Sequence, residues 1–375
     1  QWLVTLPLEF TAATIVIQFW DTQEKVPKGV WLALFLLLMI VINFFGAKGY
    51  GEFEFIATLV KVLTVIGFII VGAYIDCGGP SSVDYIGAHY WHDPGAFNNG
   101  FKGVCSVFTT AAFAFQGSEL VGLAASETQS PRHSIPRACR LVFMRVIIFY
   151  VLPLFMIGLI IPYTEPGLIG EESNDPNTSP FVLSIRIAHI KVLPHIINAV
   201  IVVSTLSVGN SALYGSSRTL HALAEQGFAP KFLRYVDRAG RPLVSVIISL
   251  LFGLISFLIY SGSSGTVFNW LLGISGLSSI FTWGSTCLAY IRFRSAWSKR
   301  GYSSAQLPWA SPFGVYGAWA ALIINVLIVC ADFYVSAFPI GEAKLNGYDR
   351  GEKFFLGMIS LPIVIFLYFT FKLVR

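Results

Sequence analysis

Gln116, Gly117, Ser118 and Glu119 stand side by side inside a segment, 104–126, that is otherwise apolar and long enough to cross a bilayer. Hydrocarbon leaves such groups no water, so polar side chains and unwound backbone there must be satisfied by protein or by trapped solvent. Gly117 and Gly122 lower helix propensity at the same place, which predicts a break in the helix. A break frees N–H and C=O groups at mid-membrane, and the new helix N-terminus attracts a carboxylate. The chemistry expected is non-covalent recognition of a small polar solute: half of a substrate site in a transporter. On this reading the backbone of Gln116 to Ser118 receives the solute, and Phe115 is an occluding aromatic. The same residues also suit a small-residue packing seam around one buried polar network.

Four ionisable residues are expected well inside apolar segments: Glu9, Lys61, Glu119 and Asp332. Placing a charge there costs several kcal/mol, roughly 2.5–3.5 on insertion scales, so each is a functional candidate. Lys61 lies about eight residues into its segment, roughly 12 Å along a helix. A lysine desolvated to that depth can exchange its proton, which suits a proton-coupling group or a stand-in for a bound cation. A tether to a backbone carbonyl is the alternative. Glu119, beside the predicted break, is placed to carry a proton or to cap freed backbone groups. Glu127 follows eight residues later on nearly the same face, either as a second proton-coupling acid or as a solvated helix-end acid. Glu9 sits beside Pro7 and is expected to point into the bundle, whereas Asp332 is expected to hydrate near the outer end of its segment. Thr11 and Ser275 are chosen as walls of the substrate pocket.

Metal and catalytic chemistry find little support. His89, His92 and Asp93 cluster without a further ligand set, so no metal is expected. Cofactor motifs are lacking. No Ser/His or His/Asp constellation is placed for catalysis, which argues against an enzyme.

The elements that must position these residues follow from composition. Of 375 residues, 55% are apolar and 12% charged, and the mean hydropathy is +0.69. Soluble domains carry about 25% charged residues. The chain is therefore read as an all-α, polytopic membrane helix bundle, a single domain over 1–375, with the lipid bilayer as a partner and no nucleic acid despite a net charge of +5. Ten spans are expected, near 2–20, 30–47, 53–75, 104–126, 141–162, 192–217, 243–260, 266–291, 313–336 and 354–373. One alternate set of connections holds 15 Lys and Arg and the other 8. The richer set should face the cytosol, with both ends of the chain on that side. On the opposite side lie the acidic stretch from Glu165 to Ser179, with the glycosylation motif Asn177-Thr178-Ser179, and Cys77 and Cys105, between which a disulfide is weighed. The 222–242 connection is expected to form short amphipathic helices at the cytosolic surface. Gln1-Trp2-Leu3 opens directly inside an apolar run, which suggests a fragment of a longer chain.

Several motifs together carry a resemblance that extends over essentially the whole chain. They are Pro7-Leu-Glu9, Phe45-Gly-Ala-Lys-Gly-Tyr-Gly-Glu52, Lys61, the run Tyr90 to Phe101, Gly117-Ser-Glu-Leu-Val-Gly122, Ser216-Ser-Arg-Thr-Leu220, Gly240-Arg-Pro242, Asn269-Trp-Leu-Leu272 and Ile291-Arg-Phe-Arg294. With these the sequence resembles a fungal amino-acid permease of the amino acid–polyamine–organocation superfamily. The resemblance implies a LeuT-like fold of twelve helices built on a five-plus-five inverted repeat, of which the ten spans are similar to the third to twelfth. The family's first two helices and its cytosolic tails have no counterpart here. The first helix supplies the other unwound segment of the family's site, and the Phe115–Glu119 region matches its inverted-repeat counterpart. Also implied is uptake of L-amino acids by proton symport with alternating access at the plasma membrane. Lys61 matches the family lysine found where sodium-driven relatives bind a cation. Glu119 matches the acid beside the broken helix, and Glu127 the second acid at its cytosolic end. An exchanger or uniporter without proton coupling, and a nutrient receptor derived from a permease, stay open as alternatives. So do the range of amino acids carried and the oligomeric state.

Overall fold

Long apolar runs without water to bond their backbones have one local solution in this chain, the helix, and the computed structural model is built of helices throughout. The structure describes all residues except 80–83, 125–127, 129, 166–167, 169–178, 188, 191, 262–263, 308, 342–345 and 375; among the described residues there is no strand. Glu127 and most of the Glu165–Ser179 stretch, including Asn177, lie outside them.

The helices are α1 (Trp2–Ile17), α2 (Lys28–Phe44), α3 (Gly46–Asp76), α4 (Gly100–Ser106), α5 (Phe108–Phe115), α6 (Leu120–Leu123), α7 (Pro131–Val146), α8 (Leu152–Ile160), α9 (Pro180–Ile187), α10 (Leu193–Glu225), α11 (Leu243–Gly253), α12 (Ser264–Lys299), α13 (Gly314–Ala337), α14 (Gly347–Met358) and α15 (Ser360–Val374). Among the described residues, seven helical stretches are long and apolar enough to cross a membrane. An eighth is the pair α14 and α15, bent by 54° at its joint, and α1 and α2 are shorter apolar helices. These ten correspond in order to the ten expected spans.

The differences lie at the ends and the joints. A single connecting residue, Phe45, separates α2 from α3, and Gly46 takes φ +65°, a turn that favours glycine. α3 then runs for 31 residues, starting seven residues before the expected span. The 222–242 connection does not form the expected short amphipathic helices. α10 simply continues to Glu225, and the remainder holds one 3-10 turn, Lys231–Arg234. Gly227 and Gly240, each at φ +77°, together with Pro230 and Pro242, interrupt the helical pattern there. Cys77 and Cys105 are both free thiols, the first exposed and the second buried, so the bridge weighed between them is not formed.

The chain divides into two units. One comprises Gln1, Asn99–Leu141 and Asn269–Arg375; the other comprises Trp2–Asn98 and Val142–Phe268. In the first, Ala112, Leu277, Ile280 and Met358 form a buried cluster that joins α5, α12 and α14. In the second, α1 packs along α10, and a separate cluster gathers Phe68 and Ile75 of α3 with Met156, Ile157 and Ile160 of α8 and Val182 and Ile185 of α9. Large apolar side chains such as Leu37, Ile56, Leu63, Ile70, Leu327 and Phe366 stay exposed.

Candidate functional site

The predicted break is present. α5 ends at Phe115, Gln116 turns extended (φ −60°, ψ 161°), Gly117 takes φ +96°, and α6 begins at Leu120. A φ of +96° is hard for any residue with a Cβ, which is why a glycine stands there. The helical hydrogen bonds are replaced locally: the Gly117 N–H donates to Glu119 Oε2 at 3.2 Å, and the Leu120 N–H to the Gly117 carbonyl at 3.2 Å.

Glu119 thus closes its own turn, and it gathers further donors. Gln1 Nε2 donates to its Oε1 at 2.8 Å, and the Trp283 indole N–H donates to its Oε2 at 3.3 Å. Gln1 Nε2 also donates to Gln116 Oε1 at 3.1 Å, and Ser279 Oγ approaches the same oxygen at 3.1 Å. Because Gln1 spends its amide donors on two acceptors, the Gln116 oxygen is turned toward it. The Gln116 amide nitrogen is then left buried without a hydrogen-bond partner. Ser275 is fully buried one turn before Ser279, and its carbonyl lies 3.0 Å from Ser279 Oγ. Phe115, Gly117, Ser118 and Glu119 are half-buried. Five of the expected residues therefore form one continuous turn, with Ser275 on the helix that flanks it. Gln1, Ser279 and Trp283 were missed. Ser279 carries a signal, since it repeats Ser275 at helical spacing on α12; Gln1 and Trp283 carry none.

Thr11 and Lys61 belong to the other unit. Thr11 is fully buried, and its hydroxyl donates to the Pro7 carbonyl of its own helix at 2.9 Å. Lys61 is not tethered to a backbone carbonyl. Its Nζ lies 3.1 Å from Glu54 Oε1 and donates to Ser207 Oγ at 2.7 Å, while Ser207 Oγ donates to the Glu54 carboxylate at 2.6 Å. Glu54 falls seven residues before Lys61, two turns along the same face and inside the expected span 53–75, so the pair was legible in the spacing. Glu9 is buried as expected, and its Cβ packs against Gly209 of α10. Asn43 Nδ2 donates to Asn210 Oδ1 at 3.0 Å, and Asn210 Nδ2 is buried without a partner.

Asp332 corrects an expectation. It does not hydrate at the outer end of α13; it is buried, and Thr109 Oγ1 of α5 donates to its Oδ2. Arg145 was also overlooked as an ionisable residue inside a span: it lies within the continuous stretch Pro131–Ile160, and its Nε and Nη2 are buried without partners. Among the described residues no group of three or more His, Cys, Asp or Glu is placed to hold a metal ion.

The chain is 50% identical over its whole length to "General amino-acid permease GAP1" of Saccharomyces cerevisiae, covering 62% of that protein. It is 48% identical over its whole length to "General amino-acid permease GAP2" of Candida albicans, again covering 62%. To "Cationic amino acid transporter 1" of Schizosaccharomyces pombe it is 44% identical, covering 63%. The chain thus spans about three fifths of the length of the curated relatives it matches. The family model described as amino acid permease matches residues 1–375, the whole of this all-helical chain, and the chain belongs to that family.

Proposed function

We propose that this chain carries the core of a secondary active transporter that takes up L-amino acids at the plasma membrane by proton symport with alternating access, both its ends facing the cytosol. The observation that supports this most is the helix interruption at Gln116–Glu119. A buried, unpartnered amide nitrogen at Gln116 stands where the helix is interrupted inside a segment of spanning length, an arrangement suited to an amino acid's polar ends. Phe115 occludes the solute, and Thr11 and Ser275 sample its side chain. Lys61, Glu119 and Glu127 exchange the coupling protons. For Lys61, the ion pair with Glu54 supplies a charge balance that a single proton alters, which favours proton coupling over plain facilitated transport.

The test is uptake of labelled amino acids in permease-deficient yeast expressing the full reading frame that contains this chain, across external pH 4.5 to 7.5. Surface expression is measured in parallel. Uptake that rises in acid, and that Lys61→Ala and Glu119→Gln both abolish without loss of surface protein, is the expected result. Uptake that is flat with pH and survives Lys61→Ala overturns the coupling and leaves an exchanger or uniporter. Binding without uptake leaves a receptor.

A further inference from the structure

α5 is an eight-residue rod. The residue before it, Val107, keeps right-handed helical dihedrals (φ −93°, ψ −7°), whereas Gln116 after it turns extended (φ −60°, ψ 161°). With no helical continuation beyond Phe115, side contacts set where that end of the rod lies. Two such contacts converge on Thr109, in its first turn. The Thr109 hydroxyl donates to the carboxylate of Asp332 on α13. The Thr109 carbonyl and methyl face Gly276 of α12, where an added Cβ would come within 2.7 Å of the oxygen and 2.9 Å of the methyl. Ala112, one turn on, is buried against Leu277 and Ile280 of the same α12.

A threonine hydroxyl inside a helix normally satisfies itself on a carbonyl three or four residues back, as Thr11, Thr14, Thr64 and Thr282 do in this chain. Thr109 bonds a carboxylate on another helix instead. Burying that carboxylate at membrane depth is costly, and a hydrogen bond to an ionised acceptor is stronger than one between neutral groups.

We propose that Asp332 is a positioning residue for the substrate site: through Thr109 it sets where the rod α5 delivers Phe115 and Gln116. The two ends of this lever lie about 9–10 Å apart at the rise of a helix. Asp332 acts without touching the solute. This inference rests on the proposed reading of the Phe115–Glu119 turn as a substrate site, and it names the side chain that aims it.

The experiment compares wild type with Thr109→Val, Thr109→Ser, Asp332→Asn and Asp332→Ala in the full-length protein, with KM and Vmax of uptake corrected for surface expression. Thr109→Val is nearly isosteric and removes only the hydroxyl; it should raise KM about tenfold, the order expected for a lost hydrogen bond to a charged group. Asp332→Ala should do the same, and the double variant should be no worse than either. Thr109→Ser and Asp332→Asn keep a donor and an acceptor and should restore KM to within about threefold of wild type. A second readout does not depend on transport: the maleimide labelling rate of a cysteine placed by Phe115→Cys, followed by mass spectrometry, should change when Thr109→Val is added. An unchanged KM and an unchanged labelling rate in Thr109→Val overturn the inference while leaving transport intact. If wild type shows no uptake, the transport reading fails, and the labelling rate alone still decides whether Thr109 positions the end of α5.

Discussion

The Lys61 ammonium lies 3.1 Å from the Glu54 carboxylate two turns earlier on α3, and Ser207 of α10 bridges the two by accepting from the lysine and donating to the acid. A charge that would be costly alone is thereby held as a neutral, hydrogen-bonded group of three. Each ionic side chain remains about a quarter exposed, 25% for Lys61 and 24% for Glu54, so the pair is intermediate between a surface bridge and a buried one.

Glu54→Gln should destabilise the protein by about 1–3 kcal/mol, because it leaves the lysine without its counter-charge in a poorly hydrated place. Adding Lys61→Met should recover part of the loss, since the stranded charge is then gone. Thermal unfolding of the purified protein in detergent checks both. An unaltered transition in Glu54→Gln would show that the pair is solvated enough to be dispensable.

Gly117→Ala places a Cβ on a residue with φ +96°, a strain of about 1–3 kcal/mol. The cheapest relief is to reshape the turn that Glu119 closes. Uptake should fall at least about tenfold while surface expression stays near normal. Gly122→Ala, in α6, has open space around it and should be tolerated.

Gly276→Ala should drive α12 away from Thr109, because the Cβ meets a backbone oxygen that cannot rotate aside. The expected cost is about 1–3 kcal/mol in thermal stability. Gly284→Ala on the same helix meets nothing closer than 3.9 Å, and should be neutral or stabilising by up to about 1 kcal/mol.

Asp237, in the 222–242 connection, accepts from the Arg241 side chain at 2.6 Å and from the Arg241 and Ala239 N–H groups at 2.8 and 3.0 Å. The Arg241 side chain, first, and then its N–H hold the Asp237 carboxyl below its ordinary range. A depressed carboxylate contributes stability above its unfolded pKa and loses it only as pH falls through the folded value. The clasp, in which Arg241 also donates to the Phe44 carbonyl at the end of α2, should therefore persist from neutral pH down to about 4 and open only below that. Limited proteolysis of the connection against pH reads this out. Asp237→Asn should raise the cleavage rate at pH 7 to that of the acid-opened form.

Much of this protein is legible in its residues taken in order. Spans follow from hydropathy summed over some twenty neighbours: among the described residues seven stretches, eight with the bent pair, reach spanning length, and two shorter apolar helices stand at the first two expected spans. The break at Gln116–Glu119 was visible for a local reason as well: glycine and polar side chains weaken a helix where they sit, whatever packs around them. Glu9 was placed correctly inside the bundle because Pro7 and the surrounding apolar run left it nowhere else. Tertiary structure decided which polar groups meet. That Trp283 and Gln1 supply donors to Glu119, that Ser207 joins Lys61 to Glu54, and that Asp332 is buried on Thr109 instead of facing water all depend on how helices distant in sequence are rotated and pressed together. Hydropathy fixes a helix's depth in the membrane but says little about its rotation, and rotation determines the partner of every buried charge.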